Sequence, residues 1–196
     1  MTEKSLKREI ILETARKHFI EKGYYKTNLD EIAKELNIAK GTIYLYFKSK
    51  SELFVNVVEQ DLKVICEDIK SIVNSNLEPK EKLEKFIDIL WDKLYEFRNS
   101  LGMPEISQKE FVFDNEIFPY YMEKIYPIIS EMKILTKKLI MEGIHKGQFK
   151  NLEINAMSYF IGLSIKAFFM RLEDPVRYED KEVIKEIILK GVLRHD

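Results

Sequence analysis

Apolar residues recur at intervals of three and four along almost the whole chain, and no stretch sustains the apolar/polar alternation of a half-buried strand, so the pattern predicts an all-α fold. The first predicted helix runs from about Leu6 to Lys22. Ile11, Ala15 and Phe19 share one of its faces with Leu12 beside them, and Gly23 supplies a left-handed stop. A short second helix opens at Thr27 or Asn28, with Asp30 or Glu31 as the capping-box partner, and turns Leu29, Ile32, Ala33 and Leu36 inward. It ends at Asn37, a residue type that tolerates the αL conformation of a tight turn. The third helix spans about two turns, from Ala39 or Lys40 to Phe47. Ser49 and Glu52 form a Ser-x-x-Glu box that launches a long fourth helix to about Asn74.

Beyond it, Pro79 suits the first residue of a fifth helix whose apolar face is Leu83, Phe86, Ile87, Leu90, Leu94 and Phe97. A break follows at Leu101 to Pro104. Residues 105 to 127, interrupted by Pro119 and Pro127, read as short or kinked helices, and a longer helix runs from about Ile128 to Lys146, with Gly147 as its stop. Two last helices, about Leu152 to Arg171 and Asp180 to Leu193, flank a break at Asp174-Pro175. The expected architecture is an N-terminal three-helix helix-turn-helix domain over residues 1–50, joined by a long helix to a larger helical domain over 51–196, with about nine helices in all.

Charge changes the picture of the first domain. The 196 residues sum to a net charge of −1, which by itself argues against a nucleic-acid partner. Residues 1–50, however, hold 11 Lys/Arg against 7 Asp/Glu, a local +4, and the remainder carries −5. A cationic end is what phosphate binding needs, because counterion release depends on the contact face and not on the whole chain. The hydrophobic content of 45% supports a substantial core, and no apolar run is long enough to span a bilayer, so the composition points to a soluble cytoplasmic protein. Cys66 is the single cysteine, expected as a small buried hydrophobe, and neither zinc spacing nor a cofactor motif is present.

The candidate chemistry sits on the third helix. A helix-turn-helix works when its second helix enters the major groove and flanking groups clamp the phosphates. Lys40 and Thr42 occupy the first turn, where a cation reaches guanine O6/N7 or a phosphate and a threonine offers hydroxyl or methyl, while Gly41 lets the backbone approach. Tyr44 and Tyr46 project toward different sides with hydroxyls suited to phosphate oxygens, Ile43 and Phe47 anchor the helix to the core, and Lys48 and Lys50 add charge near the start of the fourth helix. Read without that context, the lysines are a solvated face and the tyrosines half-buried packing residues.

Residues 23–54, GYYKTNLDEIAKELNIAKGTIYLYFKSKSELF, resemble the DNA-binding signature of the TetR (tetracycline-repressor-like) family of bacterial transcriptional regulators. The resemblance covers about a quarter of the chain once the first helix is included. It implies a homodimeric regulator, usually a repressor, that binds double-stranded operator DNA and is released when its C-terminal domain takes up a small molecule; separately, the lack of a nucleophile elbow, phosphate loop or metal spacing argues against an enzyme. Carried over by position, it implies Thr27 or Asn28, Lys40, Thr42, Tyr44, Tyr46 and Lys50 as DNA contacts, with Gly41 and Leu45 on the same surface. Asn37 stands where glycine is common in the family, and Ala39 replaces a frequent serine cap. The latter weakens the cap by about 1 kcal/mol and removes any hydroxyl contact there.

Aromatics and methionines are abundant between residues 83 and 172, and either fill the core or line an adaptable apolar pocket. Trp91, Phe111, Phe113, Tyr121, Tyr126 and Phe168 are the candidate lining for a small hydrophobic or amphipathic effector. Small residues along the penultimate helix and the apolar face of the last one permit close helix approach, and the family resemblance implies that the two helices pair with their copies in a dimer. Ser158, Gly162, Ile165, Phe169, Ile184, Ile187, Ile188 and Gly191 are the candidate interface. A helical lipid carrier or adaptor that binds no specific DNA is the alternative, but it leaves the basic, tyrosine-bearing third helix without a task.

Overall fold

The computed structural model describes residues 2–100, 115–169 and 176–194, with side chains described for all of these except 97–100 and 168–169. The expected breaks at Leu101 to Pro104 and Asp174-Pro175 lie outside the described residues. In chain order the helices are α1 (Glu3–Lys26), α2 (Leu29–Glu35), α3 (Lys40–Tyr44), α4 (Lys50–Val73) and α5 (Pro79–Ser100). A single turn, α6 (Phe118–Tyr120), then passes through a π-helical segment (Tyr121–Ile125) into α7 (Tyr126–His145), followed by α8 (Ile154–Phe169) and α9 (Asp180–Val192). The all-α expectation holds: among the described residues the extended pairing is limited to one isolated bridge between Phe149 and Leu193. None of the described helices is long and apolar enough to cross a membrane.

Two compact units form, Met1–Lys63 with Phe97–Pro127, and Val64–Glu96 with Ile128–Asp196. In the first, Ile11, Leu12, Ala15 and Phe19 of α1 meet Ile32 of α2, Ile43 of α3 and Leu53 and Phe54 of α4 in a core where each is at most 1% exposed. Its centre is aromatic. Phe54 meets the Phe19 ring edge-on at 4.9 Å and the Tyr24 ring at 4.9 Å. The Tyr24 hydroxyl shares a 2.8 Å hydrogen bond with Ser51, which also donates to Glu116 at 3.2 Å. Asn56 of α4 accepts from Arg8 of α1 and, at 3.0 Å, from Lys124 of the π-helical segment, tying both to the same helix.

Pro127 does not break the chain as its ring chemistry suggests. It has no N–H to donate to Glu123, and the preceding turn is already widened: the Tyr126 N–H bonds to the Tyr121 carbonyl, five residues back. The helix therefore continues through the proline.

In the second unit Ile69, Val73, Leu83, Ile87, Trp91, Leu139, Ile140, Ile161, Ile165 and Ile188 are at most 1% exposed. Cys66 is buried as expected, and burial raises its thiol pKa. Gly147 takes φ 72° after α7, and the N–H groups of Gly147 and Gln148 close back onto Ile144 and Gly143 in a Schellman motif. The returning chain lays Phe149 over Gly143, where an added Cβ would stand 2.3 Å from the ring.

Lys82 is nearly fully buried and donates to the Val73 carbonyl at 3.1 Å and to Glu142 at 2.8 Å. Burial opposes ionisation of Glu142, but the Lys82 and Lys146 hydrogen bonds and charges outweigh it and hold the carboxyl below its usual range. A carboxylate depressed in the folded state contributes stability that is present above its unfolded pKa and lost as pH falls through the folded one. Glu142→Gln is therefore expected to cost roughly 2–3 kcal/mol at neutral pH, by stranding the buried ammonium, and progressively less below pH ~4.5. Urea midpoints taken across that range check it, and parallel acid limbs for the two proteins would refute it.

Candidate nucleic-acid interface

The site begins at Gly23, whose φ of 72° and ψ of 169° are open only to glycine and interrupt α1 before its last turn. That turn carries Tyr25 and Lys26 outward and Thr27 inward. Thr27, expected at the DNA face, is 3% exposed, and its hydroxyl is spent on the carbonyls of His18 at 3.1 Å and Gly23 at 2.7 Å. Asn28 is the N-cap of α2, accepting from the Asp30 N–H at 2.9 Å. No reciprocal capping box forms, because the Glu31 carboxylate is engaged by Lys22. Next to it His18 is buried against α2, its Nε2 2.7 Å from Glu35.

The turn between α2 and α3 follows from Asn37, which adopts φ 52°. Its N–H closes on Lys34 at 3.1 Å and that of Ile38 on Ala33 at 2.9 Å, a second Schellman motif built on asparagine. Ala39 caps α3 with no side-chain bond. The helix is shorter than expected, ending at Tyr44, because Leu45 and Tyr46 donate partly to carbonyls three residues back and tighten the last turn before Phe47. Ile43 and Phe47 are buried on the inner side; Tyr44 and Leu45 are exposed, and a Cβ on Gly41 would meet nothing within 4 Å. Thr42 and Tyr46 are half-buried and Lys48 exposed.

At the start of α4 the Ser49 hydroxyl accepts from the Glu52 N–H at 3.0 Å, and Glu52 reaches back to the N–H of Lys48, one residue upstream of the expected box. Lys50 points across to α1. Its ammonium lies 4.5 Å over the Tyr24 ring and 3.3 Å from each of the carbonyls of Tyr25 and Thr27. Burial lowers its pKa, against the opposing charge of Glu116. Lys40 reaches Asp30 at 2.8 Å, a bond that raises the ammonium's pKa and keeps it charged.

These elements enclose an open concavity of about 400 Å³ lined by Tyr25, Lys26, Thr27, Asn28, Leu29, Lys40, Tyr44 and Lys50. Five expected contacts, Thr27, Asn28, Lys40, Tyr44 and Lys50, thus meet there, whereas Gly41, Thr42, Leu45, Tyr46 and Lys48 lie outside it. Tyr25 and Lys26 also line it, although the sequence reading selects neither. Their signal was an aromatic and a cation placed directly after a glycine able to turn the chain. Ammonium, amide and phenol donors around one recess suit phosphate oxygens.

The effector candidates divide between the units. Trp91 is fully buried in the second, while Tyr121 and Tyr126 belong to the first, where burial and the neighbouring Tyr126 raise the Tyr121 pKa. Phe111 and Phe113 lie outside the described residues, as do the side chains of Phe168 and Phe169. On the last two helices Ile165, Ile184 and Ile188, expected at a dimer face, are instead buried within their own unit. Helical spacing alone does not say which of two apolar stripes faces home. The outward stripe is Tyr159 and Leu163 on α8 and Val183 and Ile187 on α9, each about half exposed. Gly162 opens onto it with nothing near, Ser158 is half-buried, and Gly191 lies close beneath the Phe160 ring.

Residues 11–57 match the family described as bacterial regulatory proteins, tetR family. The YuxN regulator of Bacillus subtilis, an HTH-type transcriptional regulator, is 33% identical over 97 residues, 50% of this chain but only 33% of that protein. The HTH-type regulator YhgD of the same organism is 31% identical over 146 residues, 74% of this chain and 72% of that one. In fold, the chain resembles the Bacillus subtilis regulator FadR solved in complex with stearoyl-CoA, with a TM-score of 0.73 at 22% identity, over 93% of this chain and 98% of the other. With the family's signature matched over residues 11–57 and a regulator 31% identical across most of both chains, this protein belongs to the TetR family of bacterial transcriptional regulators and is a DNA-binding regulator of transcription.

Proposed function

We propose that the protein is a ligand-responsive repressor that binds a palindromic operator as a homodimer and releases it when a small, mostly apolar effector binds. The observation that carries the DNA half is the recess between the end of α1, the start of α2 and α3, with Asn28, Lys40, Tyr44 and Lys50 around it. In this reading α3 enters the major groove. Lys40 and Thr42 reach base edges, Tyr44, Tyr46 and Lys48 hold phosphates, Gly41 and Leu45 lie along the groove wall, and Tyr25 and Lys26 extend the phosphate contacts. Thr27 supports the surface from below, and Lys50 holds the Tyr25 and Thr27 carbonyls in place while facing the backbone. A homodimer through the exposed stripe of α8 and α9 supplies the second reading head that a palindrome requires. An amphipathic effector with a long acyl chain is the favoured class, supported by the stearoyl-CoA held in the FadR relative. It acts by binding better to a DNA-incompetent form of the dimer than to the competent one.

Gel shifts with genomic fragments flanking the protein's own gene test the reading. Lys40→Ala is expected to cost about 1–3 kcal/mol on the preferred fragment and to relax its sequence preference. Lys48→Ala is expected to weaken all duplexes alike and to reduce the salt slope by about 1. If no fragment is preferred at moderate salt, the repressor reading falls. A preferred fragment that long-chain acyl-CoA fails to displace removes the effector class alone.

A further inference from the structure

Two cations of the recess already have hydrogen-bond partners within the protein, and the partners differ in kind. Lys50 rests on two neutral carbonyls. Lys40, at the first position of α3, is paired at 2.8 Å with the carboxylate of Asp30 on α2. Both side chains of that pair are about half exposed, so the pair stands on the surface that would meet DNA. The main chain that carries Asp30 is fixed at the start of α2, its N–H donating to the Asn28 cap at 2.9 Å. None of the residues lining the recess is acidic, which leaves Asp30 as a carboxylate at its edge.

A phosphate approaching Lys40 must therefore displace a carboxylate hydrogen-bonded to it, whereas the hydrogen bonds it would displace at Lys50 go to neutral carbonyls, with the charge of Glu116 nearby. We propose that Asp30 is a positioning residue that holds Lys40 away from the phosphates of non-cognate DNA and yields it only where a base edge offers a better partner. The pairing thereby lowers non-specific affinity and widens the gap between operator and random sequence. The inference rests on the DNA-binding face described above and concerns how that face rejects wrong sequences. Random DNA offers phosphate oxygens everywhere, but each gained contact would cost the ion pair and leave Asp30 facing the negative backbone. A correctly placed guanine presents O6 and N7 acceptors at the centre of the groove, with the rest of the interface closing around it.

The test compares wild type, Asp30→Asn, Lys40→Ala and the double variant. Each is titrated against a labelled random-sequence duplex of about 30 base pairs, and against the tightest duplex that wild type selects from a random pool, between about 50 and 200 mM salt. Asp30→Asn is expected to bind the random duplex roughly 3- to 10-fold more tightly, with less gain on the selected one. Its log-log salt slope on the random duplex should steepen by about 0.9, the signature of one further phosphate neutralised. Both changes should vanish in the Lys40→Ala background, and Asp30→Glu, which keeps the charge, should stay near wild type. An equal gain with and without Lys40 would reduce Asp30 to a general charge and overturn the inference. Weaker or unchanged binding of the random duplex by Asp30→Asn would do the same. Failure of wild type to select any duplex refutes the DNA-binding face itself, a result visible before the Asp30 variants are compared.

Discussion

Phe54→Ala is expected to lower the stability of the first unit by about 3–5 kcal/mol, the cost of removing a large buried ring where the surroundings cannot collapse. Phe54 is 1% exposed, and its ring contacts Phe19 and Tyr24 at 4.9 Å each, so the cavity would be walled by two other rings belonging to α1. Those rings are held from behind: Tyr24 through its hydroxyl bond to Ser51, Phe19 through the packing of α1. The site depends on the same cluster, because Lys50 lies over Tyr24 and binds the carbonyls of the turn that follows Gly23. DNA affinity should fall with stability, whereas Phe54→Leu should lose less of both. Chemical denaturation gives the first quantity and gel shift the second. A Phe54→Ala protein within about 1 kcal/mol of wild type would mean that the ring cluster does not hold this core.

The second large effect concerns assembly. Leu163→Lys combined with Ile187→Lys places two charges on the outward stripe of α8 and α9, where the wild-type side chains are 54% and 48% exposed. If that stripe is the homodimer face, burying unpaired ammonium groups there is prohibitive and the protein should sediment as a monomer. Each monomer would retain its recess, so binding to a single half-site should persist. Affinity for a full palindrome should drop by about 10²–10⁴, the gain that a second tethered head supplies. The double variant makes little demand on folding, because neither residue belongs to the buried core. Dimers of unchanged strength would place the interface elsewhere.

Much of the local structure was legible in the residues. Gly23 and Gly147 interrupt helices with positive φ, Asn37 takes φ 52°, and Asn28 and Ser49 cap the helices that follow them. Each outcome is a matter of one residue's own backbone preference or of a bond to a neighbour two or three positions on. The inward faces of α1, α2 and α3 were readable for a related reason, since short amphipathic helices in a small unit have one apolar side to bury. Legibility failed where a residue's fate depended on a partner distant in sequence. Thr27 has the chemistry of a phosphate ligand, yet the turn after Gly23 points its hydroxyl at His18 and Gly23 carbonyls. Pro127 has the chemistry of a helix breaker, yet the widened π-helical turn before it accommodates the absence of its N–H.

The last two helices make the same contrast. Their residues carry two apolar stripes, and periodicity registers both without ranking them. Only the packed structure assigns Ile165, Ile184 and Ile188 to the core and leaves Tyr159, Leu163, Val183 and Ile187 outside. The sequence by itself determined most of the helices, their caps, the cationic segment over residues 1–50 and the family signature, because propensity, capping and charge are local properties carried by each residue and its near neighbours. The tertiary structure alone decided which hydroxyls and ammonium groups remain available, including the commitment of Lys40 to Asp30 and of Lys50 to the Tyr25 and Thr27 carbonyls. Availability depends on which groups are brought within about 3 Å of one another, and separations of 10 to 25 positions along the chain leave no periodic trace of that.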